Sequence, residues 1–258
     1  MDRDVDGGDL WRVAALSAMG EPELHAVLSG DGAAAWVKAA ANSGFVDAQL
    51  RLGRMLLSGE GVTRDQRAAL AWFLQAAETG SAEAHNMAGR CLENGWGTAP
   101  DATRAAAHYR IAADAGDSWA QYNLGHFYLD GVGVARDPDA AFDWYSRASA
   151  QGHPRAMNLV ARCYEEGWGA AKDSHLARAW YRKSAEGGYF RGAYNYATLL
   201  VAEGCIAGAA HWFEKALATA PEPTRSAMAG ALSKSPHAEL RRIALGMTAQ
   251  TGVTAGLI

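Results

Sequence analysis

The chain has 258 residues, 49% hydrophobic and 20% charged, with a formal net charge of −4. These are ordinary globular values, and the charge gives no global reason to expect nucleic acid or an anionic membrane as a partner. Three cysteines, Cys91, Cys163 and Cys205, are too few for a disulfide framework. The acidic start MDRDVDGGDLW lacks the apolar core of a signal peptide, and no apolar run reaches the length of a membrane span. The composition therefore reads as a soluble, reduced, cytoplasmic protein.

Residues 9–19 and 22–29 read as an irregular N-terminal helix pair, and residues 33–43 (AAAWVKAAANS) as a further helix. From there the chain repeats itself. Trp36, Trp72, Trp144 and Trp180 step by 36, 72 and 36 residues, and His108 stands where one tryptophan is missing. Gly44, Gly80, Gly116, Gly152 and Gly188 keep the same step, as do Asp65, Asp101, Asp137 and Asp173, and Ala48, Ala84, Ala120 and Ala156. Several residue types holding one period mark a repeat architecture.

Residues 120–155 are the cleanest copy. Ala120, Leu124, Phe127 and Tyr128 fall at i, i+4, i+7 and i+8, one face of a helix. Gly125 on that face lets a neighbouring helix approach, and Gly131 is placed to end the helix in the left-handed conformation. Asp137 followed by Pro138 is a start signal, a carboxylate cap followed by a residue pre-set for the first helical position. Ala141, Trp144, Tyr145 and Ala148 form the second apolar stripe, which makes the Trp-Tyr pairs core residues, and Gly152 closes the unit. Helices of about three turns are not stable alone in water, so each must bury its stripe against a neighbour.

A fifth copy runs over residues 192–218, with four residues lost from its loop. Pro221 and Pro223 break the chain. Residues 223–233 and 236–248 then read as two helices whose mixed polarity suits a cap on the exposed end of a stack. The expected organisation is an irregular N-terminal segment (1–32), a repeat array (33–218) and capping helices with a tail (219–258). A 72-residue period overlies the shorter one. RCLENGWG at 90–97 matches RCYEEGWG at 162–169, and GEGV at 59–62 matches GVGV at 131–134. Duplication of a two-repeat block and a functional demand on alternate loops both account for it.

The pattern A-x-x-x-L-G-x-x-Y-x-x-G-x-G-V-x-x-D, followed by an alanine, W-Y and A-x-x-G, resembles the Sel-one-like repeat, a relative of the tetratricopeptide repeat. The copy at 120–155 matches almost throughout, from Ala120, Leu124, Gly125 and Tyr128 through Gly131, Gly133, Val134 and Asp137 to Trp144, Tyr145 and Gly152. Departures are His108 for tryptophan, Thr98 and Ala170 for valine, and the shortened fifth loop. The resemblance covers about residues 33–218. It implies an all-α solenoid, a right-handed α/α superhelix whose first helices line a concave surface, and an adaptor that assembles protein complexes. The disulfide in every repeat that some secreted members carry is absent here, since the copies have one cysteine or none.

Signatures of chemistry are missing. The Gly-x-Gly loops lack the strand and the Lys-Ser/Thr of a phosphate cradle. The eight histidines include no H-E-x-x-H and no i, i+4 pair, so no metal site is expected. No G-x-S-x-G occurs, Cys91 and Cys163 read as small core residues, and no cofactor is implied. A hydrolase or metal-dependent enzyme with a site assembled between repeats is the alternative to the scaffold. What remains is the face of the first helices outside the apolar stripe. One position reads Arg54, Arg90, His126, Arg162 and Thr198. A second reads Leu50, Asn86, Tyr122, Asn158 and Tyr194. A third, just before the helix, includes Trp119. Arginine forks bind carboxylates in bidentate fashion, Asn amides can bond an extended backbone, and Tyr and Trp are common binding anchors. The expected ligand is an extended or acidic segment of another protein. A solvated charged face, with ion pairs to Glu93, Glu165 and Glu166, is the competing reading. Trp96 and Trp168 each sit in a loop between two glycines, open to packing on the next repeat or to contact with a partner.

Overall fold

A computed structural model describes residues 32–252 together with positions 12, 15 and 19, with side chains described as far as residue 246. The pair expected over 9–19 and 22–29 lies outside the continuous run of described residues. The described residues form α-helices and no strand. In chain order these are α1 (Ala33–Asn42), α2 (Val46–Ser58), α3 (Gln66–Ala77), α4 (Ala82–Asn94), α5 (Ala102–Asp114), α6 (Ser118–Asp130), α7 (Pro138–Ala150), α8 (Pro154–Glu166), α9 (Ser174–Glu186), α10 (Phe190–Ala202), α11 (Ile206–Thr219), α12 (Thr224–Ser233) and α13 (Ala238–Gly252). The even-numbered helices from α2 to α10 are the first helices of successive repeats, and the odd-numbered helices from α3 to α11 are the second.

The spaced aspartates start the second helices. Asp65, Asp101, Asp137 and Asp173 each sit at the N-cap in extended backbone, with Oδ1 accepting from the backbone N–H of Ala68, Arg104, Ala140 and Leu176. Each such cap is worth about 1 kcal/mol. The first helices α2, α4, α6 and α8 end at Gly59, Gly95, Gly131 and Gly167 in the left-handed conformation. The second glycine of the loop has a different job. A Cβ on Gly97, Gly133 or Gly169 would strike the backbone at Gln66, Ala102 or Pro138, the first turn of the preceding second helix. The Gly-x-Gly pair is thus a turn followed by a backbone-to-backbone contact.

The chain divides into two compact units, Met1–Arg136 and Asp137–Ile258. In the first, consecutive helices from α1 to α6 pack on one another. Leu50, Leu70, Phe73, Met87 and Cys91, with the alanines between them, form one continuous cluster. In the second, α7 to α11 pack in the same consecutive manner. There α12 and α13 close the array, since Met228, Leu232, Leu240 and Ala244 join Leu200, Phe213 and Leu217 in one core.

Of the two aromatics at the centre of each second helix, the second is the deeper. Phe73, Tyr109, Tyr145 and Tyr181 are at most 2% exposed, and burying such a ring stabilises by about 2–3 kcal/mol. Small residues make the room, and a Cβ on Gly89 would lie 2.8 Å from the Tyr109 ring. The tryptophan of the pair lies nearer the surface under a cation one turn on. Arg147 is 4.6 Å from the Trp144 ring centre, Lys183 is 4.1 Å from Trp180, and Lys215 is 4.4 Å from Trp212.

Candidate interaction surface

The first helices carry the polar positions singled out in the sequence. In the first unit, Arg54 of α2 is exposed and pairs with Glu83 of α4, so it bridges two repeats. Arg90 of α4 is exposed and lies 5.6 Å from the centre of the Trp96 ring in the following loop. On α6, Trp119, Tyr122 and His126 form an edge-to-face series. Trp119 and Tyr122 are 6.3 Å apart at 83°, and Tyr122 and His126 are 4.7 Å apart at 83°. Trp119 is 47% exposed, a large apolar side chain open to solvent. In the second unit, Arg162 of α8 repeats the Arg90 arrangement and lies 4.8 Å from the centre of the Trp168 ring.

The acidic residues beside these arginines are engaged elsewhere. The Tyr109 hydroxyl donates to Glu93 Oε2 at 2.5 Å, and the Tyr181 hydroxyl donates to Glu165 Oε2 at 2.6 Å. Burial first, and then the adjacent carboxylate, push both phenols well above the ordinary tyrosine range. Where the competing reading of a solvated charged face put Glu93 and Glu165 in ion pairs, they bond these tyrosines, and Arg90 and Arg162 lie over indoles. Trp96 and Trp168, half-buried, are the other half of that arrangement.

The helix pairs, loop glycines and aspartate caps recur over most of the chain, and the Sel1 repeat model matches residues 46–81, 82–117, 120–153 and 154–189. The chain belongs to the Sel1 repeat family. A Sel1 repeat protein from Oxalobacter formigenes superposes with a TM-score of 0.69 at 27% identity, covering 85% of this chain and 87% of that one. A protective antigen of uropathogenic Escherichia coli with an SLR fold gives 0.68 at 24% identity, covering 96% of this chain and 54% of that one, so this chain spans about half its length. An immunity protein from Pseudomonas aeruginosa gives 0.54 at 18% identity, over 82% of this chain and 83% of that one. The last two likenesses speak for the fold alone. No curated protein matches the chain.

Within the Sel1 frame, three of the expected contact residues turn inward. Asn86 and Asn158 are only 6% and 5% exposed. Their Oδ1 atoms accept from the Nδ2 of Asn123 at 3.1 Å and of Asn195 at 2.9 Å, on the first helix of the next repeat. A buried amide is costly unless bonded, so these asparagines stitch α4 to α6 and α8 to α10 rather than standing open to an incoming backbone. Tyr194 packs edge-on against Phe213, 5.2 Å between ring centres, beside the core of the second unit. The partner of each asparagine lies 37 residues on, so the pattern of a single helix could not reveal it.

Sel1 spacing also hid a contact. His85 of α4 and His108 of α5 face each other with their Nδ1 atoms 3.0 Å apart. Burial lowers the pKa of both, with His85 and then Arg104 adding to the effect at His108. Cys91 and Cys163 are fully buried, and burial pushes their thiols up to about 11 and about 12. They behave as small core residues, as expected, while Cys205 is exposed. Among the described residues, no helix is long and apolar enough to cross a membrane, and no group of three or more metal-ligating side chains comes together.

Proposed function

We propose that the chain is a non-catalytic scaffold whose first helices dock an extended, acidic segment of a partner protein. Sel1 repeat proteins generally mediate protein–protein interactions, and the family is generally of the scaffold type. The observation that carries the finer reading is the pair of exposed arginines, Arg90 and Arg162, each stacked on the tryptophan of the following loop. Stacking on an indole restrains a guanidinium while leaving its edge N–H fork available, the geometry that takes a carboxylate bidentately. Trp119, with Tyr122 and His126 behind it, adds flat aromatic area of the kind that anchors interfaces. Arg54 adds a further guanidinium within the first unit, with Glu83 as the carboxylate that a ligand would displace. Asn86 and Asn158 serve this reading indirectly, by fixing the spacing of the helices that present the arginines. A cytoplasmic location belongs to the same reading and rests on cysteine usage.

The test compares wild type with Arg90→Glu, Arg162→Glu and the double variant. Fluorescein-labelled acidic and basic peptides of equal length are titrated by anisotropy at two salt concentrations. The reading predicts that wild type binds the acidic peptide, more weakly at high salt, and that each reversal weakens binding roughly tenfold. Equal binding by wild type and the double variant would refute it.

A further inference from the structure

Copy two of the array departs from the family pattern at its tryptophan. Where the other copies carry Trp72, Trp144 and Trp180, it has His108. At the matching first-helix position, the neighbouring copies carry Gln49 and Gln121, each donating its side-chain Nε2 to a backbone carbonyl of the preceding helix, Ala41 and Ala113. Copy two has His85 there. The two departures meet, with His85 Nδ1 and His108 Nδ1 3.0 Å apart and ring centres 5.1 Å apart.

We propose that His85 and His108 form a two-imidazole site for a borderline divalent transition metal, of the Ni²⁺ or Cu²⁺ class, with its remaining coordination positions open to solvent. The spacing carries the argument. Metal–imidazole bonds are about 2.1 Å long, so two nitrogens in cis positions of a square-planar or octahedral ion lie about 3.0 Å apart, in the tetragonal geometry that Cu²⁺ and Ni²⁺ favour. The second support is the Ala77 backbone carbonyl, which acts on the His85 ring and matches the carbonyls that Gln49 and Gln121 bond in their own copies. With Nδ1 directed at His108, that carbonyl takes the Nε2 hydrogen and leaves the Nδ1 lone pair facing the gap. A backbone carbonyl holding the distal N–H is the usual orienting device of a metal-ligating histidine.

The pair is half-buried, so solvent reaches it. In the metal-free protein a single hydrogen occupies the gap, carried by His108 Nδ1. Binding requires His108 to move its hydrogen to Nε2 and the two rings to turn so that their lone pairs converge on one point. Arg104, near His108, disfavours both a bound cation and a protonated ring. Burial keeps both imidazoles in the neutral, ligating form near neutral pH.

The experiment titrates the full chain with NiCl₂ by calorimetry and records the Cu²⁺ EPR spectrum of the same protein. The variants are His85→Gln and His108→Trp. Each restores a residue that other copies hold at that position, which favours a folded control. We expect one Ni²⁺ per chain, affinity lowered at least about tenfold in either variant, and nitrogen coupling from two imidazoles in the wild-type EPR spectrum. A rise in melting temperature with Ni²⁺ should appear in wild type and be lost in both variants. Equal Ni²⁺ affinity in wild type and variants, or a Cu²⁺ spectrum without coupling from two nitrogens, would overturn the assignment. The EPR result stands on wild type alone and decides the matter even if a variant fails to fold.

Discussion

His153 caps α8 in a way that depends on pH. Its Nδ1 accepts the backbone N–H of Ala156 at 3.2 Å, and the residue is 6% exposed. An imidazole can accept at Nδ1 only while that nitrogen is unprotonated. Burial first, and then the neighbouring Arg155 cation, lower its pKa from 6.5 to about 4. The unfolded chain therefore takes up the proton before the folded one does, and stability is lost as pH falls from about 6.5 towards about 4. One pKa unit is worth about 1.4 kcal/mol, so the ceiling is about 3 kcal/mol below pH 4 and about 2 kcal/mol at pH 5. Loss of the cap alone sets a floor of about 1 kcal/mol. Ser81 fills the matching position of α4 and caps Ala84 with a hydroxyl that does not titrate, so His153→Ser should keep the cap and remove the proton. Urea unfolding followed by circular dichroism at pH 7.5 and pH 5 measures both proteins. Wild type should lose about 1–2 kcal/mol more than His153→Ser over that interval. An equal loss in the two, together with an NMR titration placing His153 near its ordinary value, would refute the reasoning.

Gly133→Ala should destabilise by about 3 kcal/mol, since it adds left-handed strain to a clash with the Ala102 backbone. Gly116→Ala, also left-handed but facing open space, should cost only about 1 kcal/mol, and thermal denaturation of both separates strain from packing. Tyr109 and Tyr181 should remain un-ionised in an alkaline absorbance titration after the exposed tyrosines have titrated, and Tyr181→Phe should cost about 1 kcal/mol by removing the bond to Glu165. A thiol reagent should modify Cys205 at once and reach Cys91 and Cys163 only on unfolding, because thiolate formation is suppressed at the buried pair.

What was legible in the sequence is what a single repeat decides by itself. Asp137 announces its cap because cap and capped N–H lie three residues apart, and Gly131 marks its helix end by backbone geometry alone. The family likeness followed from the same short-range marks. Contacts between repeats were not legible. Asn86 reads as an open groove residue until α6 brings Asn123 against it. His85 and His108, 23 residues apart on different helices, meet only once α4 and α5 are packed. Trp96 and Trp168 left two readings open, and the structure makes each the stacking partner of the arginine six residues back on the preceding helix. The exposed Arg90 and Trp119 could be nominated from position, but not the stacking that organises them.

The asparagine bonds bear on how such an array can be rebuilt. Asn86 finds its partner in the next repeat at Asn123, and Asn158 finds its partner at Asn195. The position that supplies the partner alternates between amide and apolar side chain, with Met87 and Leu159 in the intervening copies. Excising the single repeat 118–153 would set Leu159 where Asn86 needs an amide and strand a buried polar group, at a cost of about 1–3 kcal/mol. Excising or duplicating a 72-residue block keeps every amide matched. The natural module for lengthening or shortening this protein is accordingly two repeats, and a library built in single-repeat steps should express well at every second length.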